Sequence, residues 1–198
     1  IAIWGYLLLI VAAFIFHRKR GFAGVVWGAI ILLNIYFITL EPTNEKPWKA
    51  SWSRLPHGII KDDVLVLRNV RDFTYRTTED FDVIYETKTY RLDELETLDF
   101  AVCYWDGMKA VAHTMLSVGF KNGDYLALSA ETRLAEGDIQ GALPGLYRQF
   151  GFQYIFATEK DLFALRSNYR HEDLFLYSST ATAKDSRKIL EEMVRRAN

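Results

Sequence analysis

The sequence predicts an α+β chain, with two N-terminal transmembrane helices followed by a domain built around an antiparallel sheet. Three observations predict it. Ile1 to Phe16 and Phe22 to Leu40 carry no charge, and the basic stretch His17-Arg18-Lys19-Arg20 lies between them. From about residue 57, short runs of β-branched and aromatic residues alternate with turn signals. Helical periodicity is confined to a few segments, and many strands with few helices is the pattern of an α+β domain.

A bilayer core about 30 Å thick needs roughly 20 apolar residues as a helix. Phe22 to Leu40 meets that length. Ile1 to Phe16 is shorter, and the chain opens on Ile rather than Met, so some preceding sequence is expected to be missing. A signal peptide would carry its basic residues before the apolar run; here they follow it. Two spans joined by a basic link form a hairpin whose link faces the cytoplasm, leaving the rest of the chain on the outer side of that membrane. Asn34, the strongly polar side chain of the second run, is placed to bond across to the first helix. The expected organisation is a helical hairpin over 1–40, a juxtamembrane linker over 41–56 and an outer domain over 57–198, truncated at its C-terminal end. The linker holds Pro42, Pro47 and Pro56 with Trp48 and Trp52, whose indoles suit the depth of the headgroups.

Within the domain, strands are expected at Val64 to Val70, Phe81 to Tyr85, Phe100 to Trp105, Ala110 to Phe120, Tyr125 to Arg133, Phe152 to Ala157 and Leu174 to Tyr177. Gly141 to Phe150 reads as a short helix begun through Pro144, and Asp161 to Arg166 is ambiguous. Ala183 to Arg196 reads as a helix with Ile189, Leu190 and Met193 on one face. The 198 residues less the first 40 leave 158, enough for one domain with a real core. Net charge is −1 and the basic residues are scattered, so nothing suggests a nucleic-acid footprint and no nucleic-acid partner is expected. A single cysteine excludes an internal disulfide, and four histidines at no ligand spacing argue against zinc. No Gly-rich phosphate loop or Gly-x-Ser-x-Gly elbow is present, and no cofactor or metal is expected.

The clearest pair of strands flanks Asn122-Gly123. A two-residue loop puts residue 113 opposite 132, whereas a three-residue loop with Gly123 in a left-handed bulge puts it opposite 131. Sorting by face selects the second register. Thr114, Leu116, Val118 and Phe120 then share a face with Leu126, Leu128, Ala130 and Thr132, while His113, Met115, Ser117, Tyr125, Ala127, Ser129, Glu131 and Arg133 form a polar or small face. Opposed Cβ atoms lie about 4.5–5.5 Å apart, so Glu131 accepts a hydrogen bond from one imidazole nitrogen of His113 and leaves the other as an acceptor. That is the base and orienting half of a nucleophilic triad. The plainer reading is a cross-strand pair on a wet sheet face. Ser129, Arg133 and Thr114 are candidate binding residues around it. Cys103, before Tyr104-Trp105-Asp106-Gly107, is the one thiol available, either as the nucleophile or as a small buried hydrophobe.

The runs Asn69-Val-Arg-Asp-Phe-Thr-Tyr-Arg76 and Ala112-His-Thr-Met-Leu-Ser-Val-Gly-Phe120 resemble the Lnb-type periplasmic domain family. So do Leu128-Ser-Ala-Glu-Thr-Arg133, Ala157-Thr-Glu-Lys-Asp-Leu162 and Leu165-Arg-Ser-Asn-Tyr-Arg170. The family includes a lipoprotein N-acyltransferase, and the resemblance extends over nearly everything from about residue 50. It implies a circularly permuted papain-like, NlpC-like fold that uses a thiol and a histidine, with His113 on the family's strand histidine and Glu131 on its Ser-x-Glu-x-Arg acid. It also implies a nucleophile in an Asn-Cys-Thr element opening a downstream helix. No Asn-Cys pair occurs here. Either the chain is a fragment without its nucleophile, the reading adopted, or Cys103 serves instead. The last helix shows no cap or stop signal, as a cut end would. The expected function is a membrane-anchored periplasmic thiol acyltransferase or amidase-like enzyme acting on a membrane lipid or lipoprotein. Its rivals are a non-catalytic module binding lipoprotein or peptidoglycan fragments, and a structural accessory domain. The sequence does not speak to oligomeric state.

Overall fold

The computed structural model describes residues 2–15, 20–39, 43–105, 108–139 and 150–198. The basic link at 17–19, the turn at Asp106-Gly107 and the helix expected from Gly141 therefore lie outside the described residues. The chain divides into two compact units, one formed by Ile1–Lys49 with Thr132–Gly151, the other by Ala50–Glu131 with Phe152–Asn198.

In the first unit, α1 (Ala2–Ile15) and α2 (Arg20–Thr39) are packed through Val26 and Ile30 against Leu9 and Ile10. Asn34 donates to the carbonyl of Ile30, one turn back on its own helix, at 2.7 Å. Among the described residues no helix is long and apolar enough to cross a membrane. Trp48 is half-buried among protein groups: it bridges to Ala135, and the Arg133 guanidinium stacks 4.0 Å from its ring centroid.

The second unit is mixed α+β, built on a mostly antiparallel sheet. Its strands are β1 (His57–Lys61), β2 (Val64–Arg71), β5 (Tyr85–Arg91), β6 (Leu95–Trp105), β7 (Met108–Phe120), β8 (Tyr125–Arg133), β9 (Gly151–Ala157) and β10 (Asp173–Ser178). They run in the order β1-β2-β9-β8-β7-β6-β10, with β5 also on β2, and only a short β3–β4 pair (Thr74–Tyr75, Phe81–Asp82) stands apart. β2 and β9 are parallel where Arg71 meets Ala157, while β1–β2, β2–β5, β6–β7, β7–β8 and β6–β10 are antiparallel. Two differences from the sequence reading have local causes. The run Phe81 to Tyr85 splits between β4 and β5, and β2 carries a bulge between Leu67 and Val70, where Asn69 adopts a φ of 60°. Strand β1 went unrecognised because His57-Gly-Ile-Ile-Lys lacks clean alternation.

The β7–β8 hairpin takes the expected register, with Met115 opposite Ser129 and Val118 opposite Leu126. Phe120 N–H donates to Asp124 O across a three-residue loop, and Gly123 has a φ of 87°, a conformation a Cβ would oppose. One sheet face buries Leu65, Leu98, Val118, Leu126, Leu128 and Phe156 beneath α4 (Ala183–Ala197), which contributes Leu190 and Val194. Ile189 and Met193 are half-buried beside them. Helix α4 begins with a capping box between Thr182 and Asp185. It does not end bare: the Asn198 side chain exchanges hydrogen bonds with the backbone of Gly58, at 2.9 and 2.8 Å. The helix lies so close to β1 that a Cβ on Gly58 would sit 2.5 Å from a Val194 methyl.

The opposite face is dry, contrary to a wet-face expectation. Ala101, Cys103, Met115, Ala127, Ile155 and Ala157 are covered by Leu162 and Phe163 of α3 (Glu159–Ala164). The ambiguous segment at 161–166 resolves into the end of α3 and a π turn at Leu165–Tyr169.

Leu190 is fully buried between α4 and the sheet, so Leu190→Ala is expected to cost about 2–5 kcal/mol in a denaturant titration. A loss well under 1 kcal/mol would mean that α4 is not docked on this face.

Candidate functional site

Sheet pairing sets the positions of the candidate residues before any side chain is considered. Cys103 lies directly opposite His113 across β6 and β7. The β7–β8 register brings Ser129 and Glu131 to the same face from the other side. All four sit on the face that α3 and the π turn cover.

The imidazole Nε2 of His113 lies 2.8 Å from Ser129 Oγ, and Ser129 Oγ donates to Glu131 Oε1 at 3.1 Å. The direct hydrogen bond expected between His113 and Glu131 is therefore corrected. Their nearest approach is 3.7 Å, with the Ser129 hydroxyl interposed, because a hydroxyl on the neighbouring pleat reaches both groups better than they reach one another. Burial pushes the Glu131 carboxyl up, but Arg166 and Arg71 more than reverse this and hold it below the usual carboxylate range. An ionised carboxylate can only accept, so Ser129 gives its proton to Glu131 and uses a lone pair for His113. His113 is then the Nε2–H tautomer. Its Nδ1 has no partner among the described residues and carries a free lone pair. About 14% of the His113 side chain is exposed.

Arg166 was missed as a site residue, although it stands in one of the recognised runs. The π turn delivers its guanidinium to Glu131 Oε1 at 3.3 Å and Glu172 Oε2 at 3.2 Å. Glu172, which no sequence signal marked, follows His171, whose φ of 55° redirects the chain. Cys103 is fully buried and donates its thiol to Glu172 Oε2 at 2.8 Å. Burial and that carboxylate push the thiol up to about 12. It is protonated at neutral pH, and no hydrogen bond joins it to His113 among the described residues.

A second buried group supports the first. Asp161, in the first turn of α3, accepts from Arg71 Nη2 at 2.6 Å, from the Phe73 N–H at 2.9 Å and from the Tyr75 hydroxyl at 3.3 Å. Burial works against the charge on Arg71, but Asp161 outweighs it and the guanidinium stays protonated. Tyr169 of the π turn donates to the Tyr75 carbonyl at 2.6 Å. Three of the recognised runs thus meet through Arg71, Tyr75, Asp161 and Tyr169. The remaining candidates do not join His113. Thr114 is exposed on the opposite sheet face, and Arg133 belongs to the first unit, bonded to Asn44 Oδ1 at 2.9 Å and stacked on Trp48.

The fold and this group define a class: an α+β domain on a mostly antiparallel sheet whose covered face holds a histidine, a serine and a carboxylate in hydrogen-bond series. The chain belongs to the Lnb N-terminal periplasmic domain family, which matches residues 82–198. Membership places the domain in the periplasm. The match begins later than the resemblance noted from about residue 50, leaving the Asn69–Arg76 run ahead of it. No curated protein and no solved structure matches the chain.

The setting of His113 has a pH consequence. Burial and the nearby Arg166 lower its pKa from 6.5, against the pull of Glu131. As pH falls below the unfolded value near 6.5, the unfolded chain takes up a proton that the folded one resists. Stability therefore rises with pH through that window and is lost on acidification. An NMR titration should place the His113 midpoint below 6.5, and His113→Gln should flatten the acid limb of the stability curve. A midpoint above 6.5 would contradict the buried, neutral imidazole.

Proposed function

We propose that this domain supplies the general base of a membrane-anchored periplasmic thiol acyltransferase of the lipoprotein N-acyltransferase kind. The observation that carries the reading is His113 held as the Nε2–H tautomer by Ser129 and Glu131, with Nδ1 unoccupied. A lone pair so placed takes the proton of a thiol as the sulfur attacks an ester carbonyl of an acylated lipid or lipoprotein. The imidazolium then returns that proton to the departing alkoxide, leaving an acyl-thioester. An amine attacks the thioester, His113 accepts the amine's proton, and the thiol is released with the amide product. Glu131, acting through Ser129, steadies the imidazolium at each stage.

Cys103 does not suit the nucleophile's part, because its proton is committed to Glu172 and its pKa lies far above neutral. The thiol of the reaction is then one that these 198 residues do not contain, in keeping with the Asn-Cys element and papain-like arrangement the family resemblance implies. The same observation favours a second reading, a non-catalytic periplasmic module that holds lipoprotein or peptidoglycan fragments, since no activated thiol stands beside His113.

Anchoring rests on the uncharged runs at 1–16 and 22–40 and the basic residues between them. An inner-membrane hairpin would keep the domain within reach of lipid-linked substrates. In cells, a reporter fused after residue 198 should be active only in the periplasm and one fused at Arg20 only in the cytoplasm. Cytoplasmic activity of the first fusion would remove both the topology and the membrane reading.

In the natural protein, a thiol-directed acyl probe separates the two functional readings. His113→Ala should lower labelling by about 10²–10⁴-fold, as loss of a general base does. Glu131→Gln should lower it less, and Cys103→Ser, whose hydroxyl still donates to Glu172, less again. Labelling of Cys103 itself, lost on His113→Ala, would make Cys103 the nucleophile. Absence of any labelling in the natural protein would favour the binding module.

A further inference from the structure

The π turn and the residues after it bring together groups whose purpose the base reading leaves unassigned. Arg166 is buried and bridges two carboxylates, Glu131 and Glu172. Its Nε is buried with no hydrogen-bond partner among the described residues. An arginine that forgoes one donor in order to span two acids is held by those acids, since an unmade buried hydrogen bond is costly. Glu172 is fixed in turn. Its backbone N–H donates to Arg166 O at 3.0 Å, Cys103 donates to Oε2, and Arg170 lies 3.9 Å from Oε1. The contacts run in series from His113 through Ser129, Glu131, Arg166 and Glu172 to Cys103, which is the residue paired with His113 on the neighbouring strand.

We propose that Arg166 is a positioning residue that sets which nitrogen of His113 carries the proton, acting through Glu131 and Ser129, with Glu172 and Cys103 holding Arg166 in place. The reasoning is one of proton direction along a relay with two settings. With Arg166 beside it, Glu131 is ionised and accepts, Ser129 donates to it, and His113 donates from Nε2. Without that cation, burial favours the neutral acid, since the other nearby guanidinium, Arg71, is already paired with Asp161. A protonated Glu131 donates to Ser129 Oγ, Ser129 turns its own proton to Nε2, and the imidazole proton moves to Nδ1. Both settings satisfy every group in the relay, so hydrogen-bond count does not choose between them. The charge on Arg166 does.

This inference rests on the reading of His113 Nδ1 as the base, yet it is tested without any activity. The full chain is labelled with ¹⁵N at histidine, and long-range ¹H–¹⁵N correlation distinguishes a protonated from an unprotonated ring nitrogen. In the unaltered protein His113 should show a proton on Nε2 and a bare Nδ1. Arg166→Lys keeps a cation and should keep that tautomer. Arg166→Gln should move the proton to Nδ1. Should Arg166→Gln fail to fold, Arg166→Gln combined with Glu172→Gln is the second variant, which removes the cation together with one of the two acids it spans. Glu131 again loses the guanidinium beside it, and the same shift to Nδ1 is expected. An unaltered protein with the proton on Nδ1 overturns the proposal, as does either folded variant that lacks Arg166 and keeps the proton on Nε2. A tautomer that follows these variants in a natural protein with no acyl transfer supports the role of Arg166 while counting against the catalytic reading.

Discussion

The register of one β-hairpin governs the arrangement of everything else in the second unit. A three-residue loop places Gly123 in the left-handed region, and from there the pairing of β7 with β8 proceeds without a further bulge. Side chains on a strand alternate strictly, so a slip of one residue would exchange the two faces. Leu116, Val118, Leu126 and Leu128 would lose the core beneath α4. Ser129 and Glu131 would leave the face that carries His113. The hydrophobic demand on one side thus fixes the chemistry on the other, and register is the link between core and site.

The covered face beneath α3 is notable for the charge it holds. Arg71, Asp161 and Arg166 are buried, and Glu131 and Glu172 nearly so. Taking ions out of water is expensive unless each is paired and hydrogen-bonded. Here every carboxylate has a guanidinium against it, and backbone N–H groups or hydroxyls take up further lone pairs. The five groups are two guanidiniums against three carboxyl groups, with Arg166 shared between Glu131 and Glu172. Burial and the adjacent Arg166, outweighing the acids, keep the imidazole from taking a proton, and burial beside Glu172 keeps the proton on Cys103. A thiol and a histidine on adjacent strands are consequently not a catalytic pair: their surroundings direct the two side chains to different partners.

Helix α3 and the π turn after it bring these charges to the sheet. Thr158 caps α3, and its hydroxyl donates to Asp72 at 2.7 Å, so the helix start is tied to the end of β2. Leu162 and Phe163 supply the apolar contact with the sheet, and Asp161 receives Arg71 between them. The π turn then widens the helix at Leu165–Tyr169, with Arg170 N–H donating to Leu165 O. That change of pitch allows Arg166 to reach the sheet while Tyr169 reaches Tyr75. Membership of the Lnb N-terminal periplasmic domain family accords with this division of labour, since its matched span contains β6 to β10, α3 and α4.

Much of the fold was legible in the sequence, for reasons that can be named. Alternation over Tyr125–Arg133, the β-rich run Phe152–Ala157, the Asn-Gly turn and the periodic apolar face of α4 are local signals, and local signals survive into the structure when one face must be buried. Facial sorting also determined the hairpin register, and with it the nearness of His113 to Ser129 and Glu131. Other features were decided only by tertiary contacts. Ser129 stands between His113 and Glu131 because its hydroxyl is the better-placed partner, and spacing along a strand carries no information on that. Glu172 lies 69 positions from the thiol it accepts, and Arg166 lies 35 from Glu131. No periodicity encodes such separations. The dryness of the histidine face depended on α3 folding over it, and in a segment as short as Glu159–Ala164 propensity is too weak to announce a cover. Sequence determined which residues share a face. The packing of α3 and the π turn determined what those residues are worth, because only burial turns a surface serine, glutamate and histidine into an ordered relay.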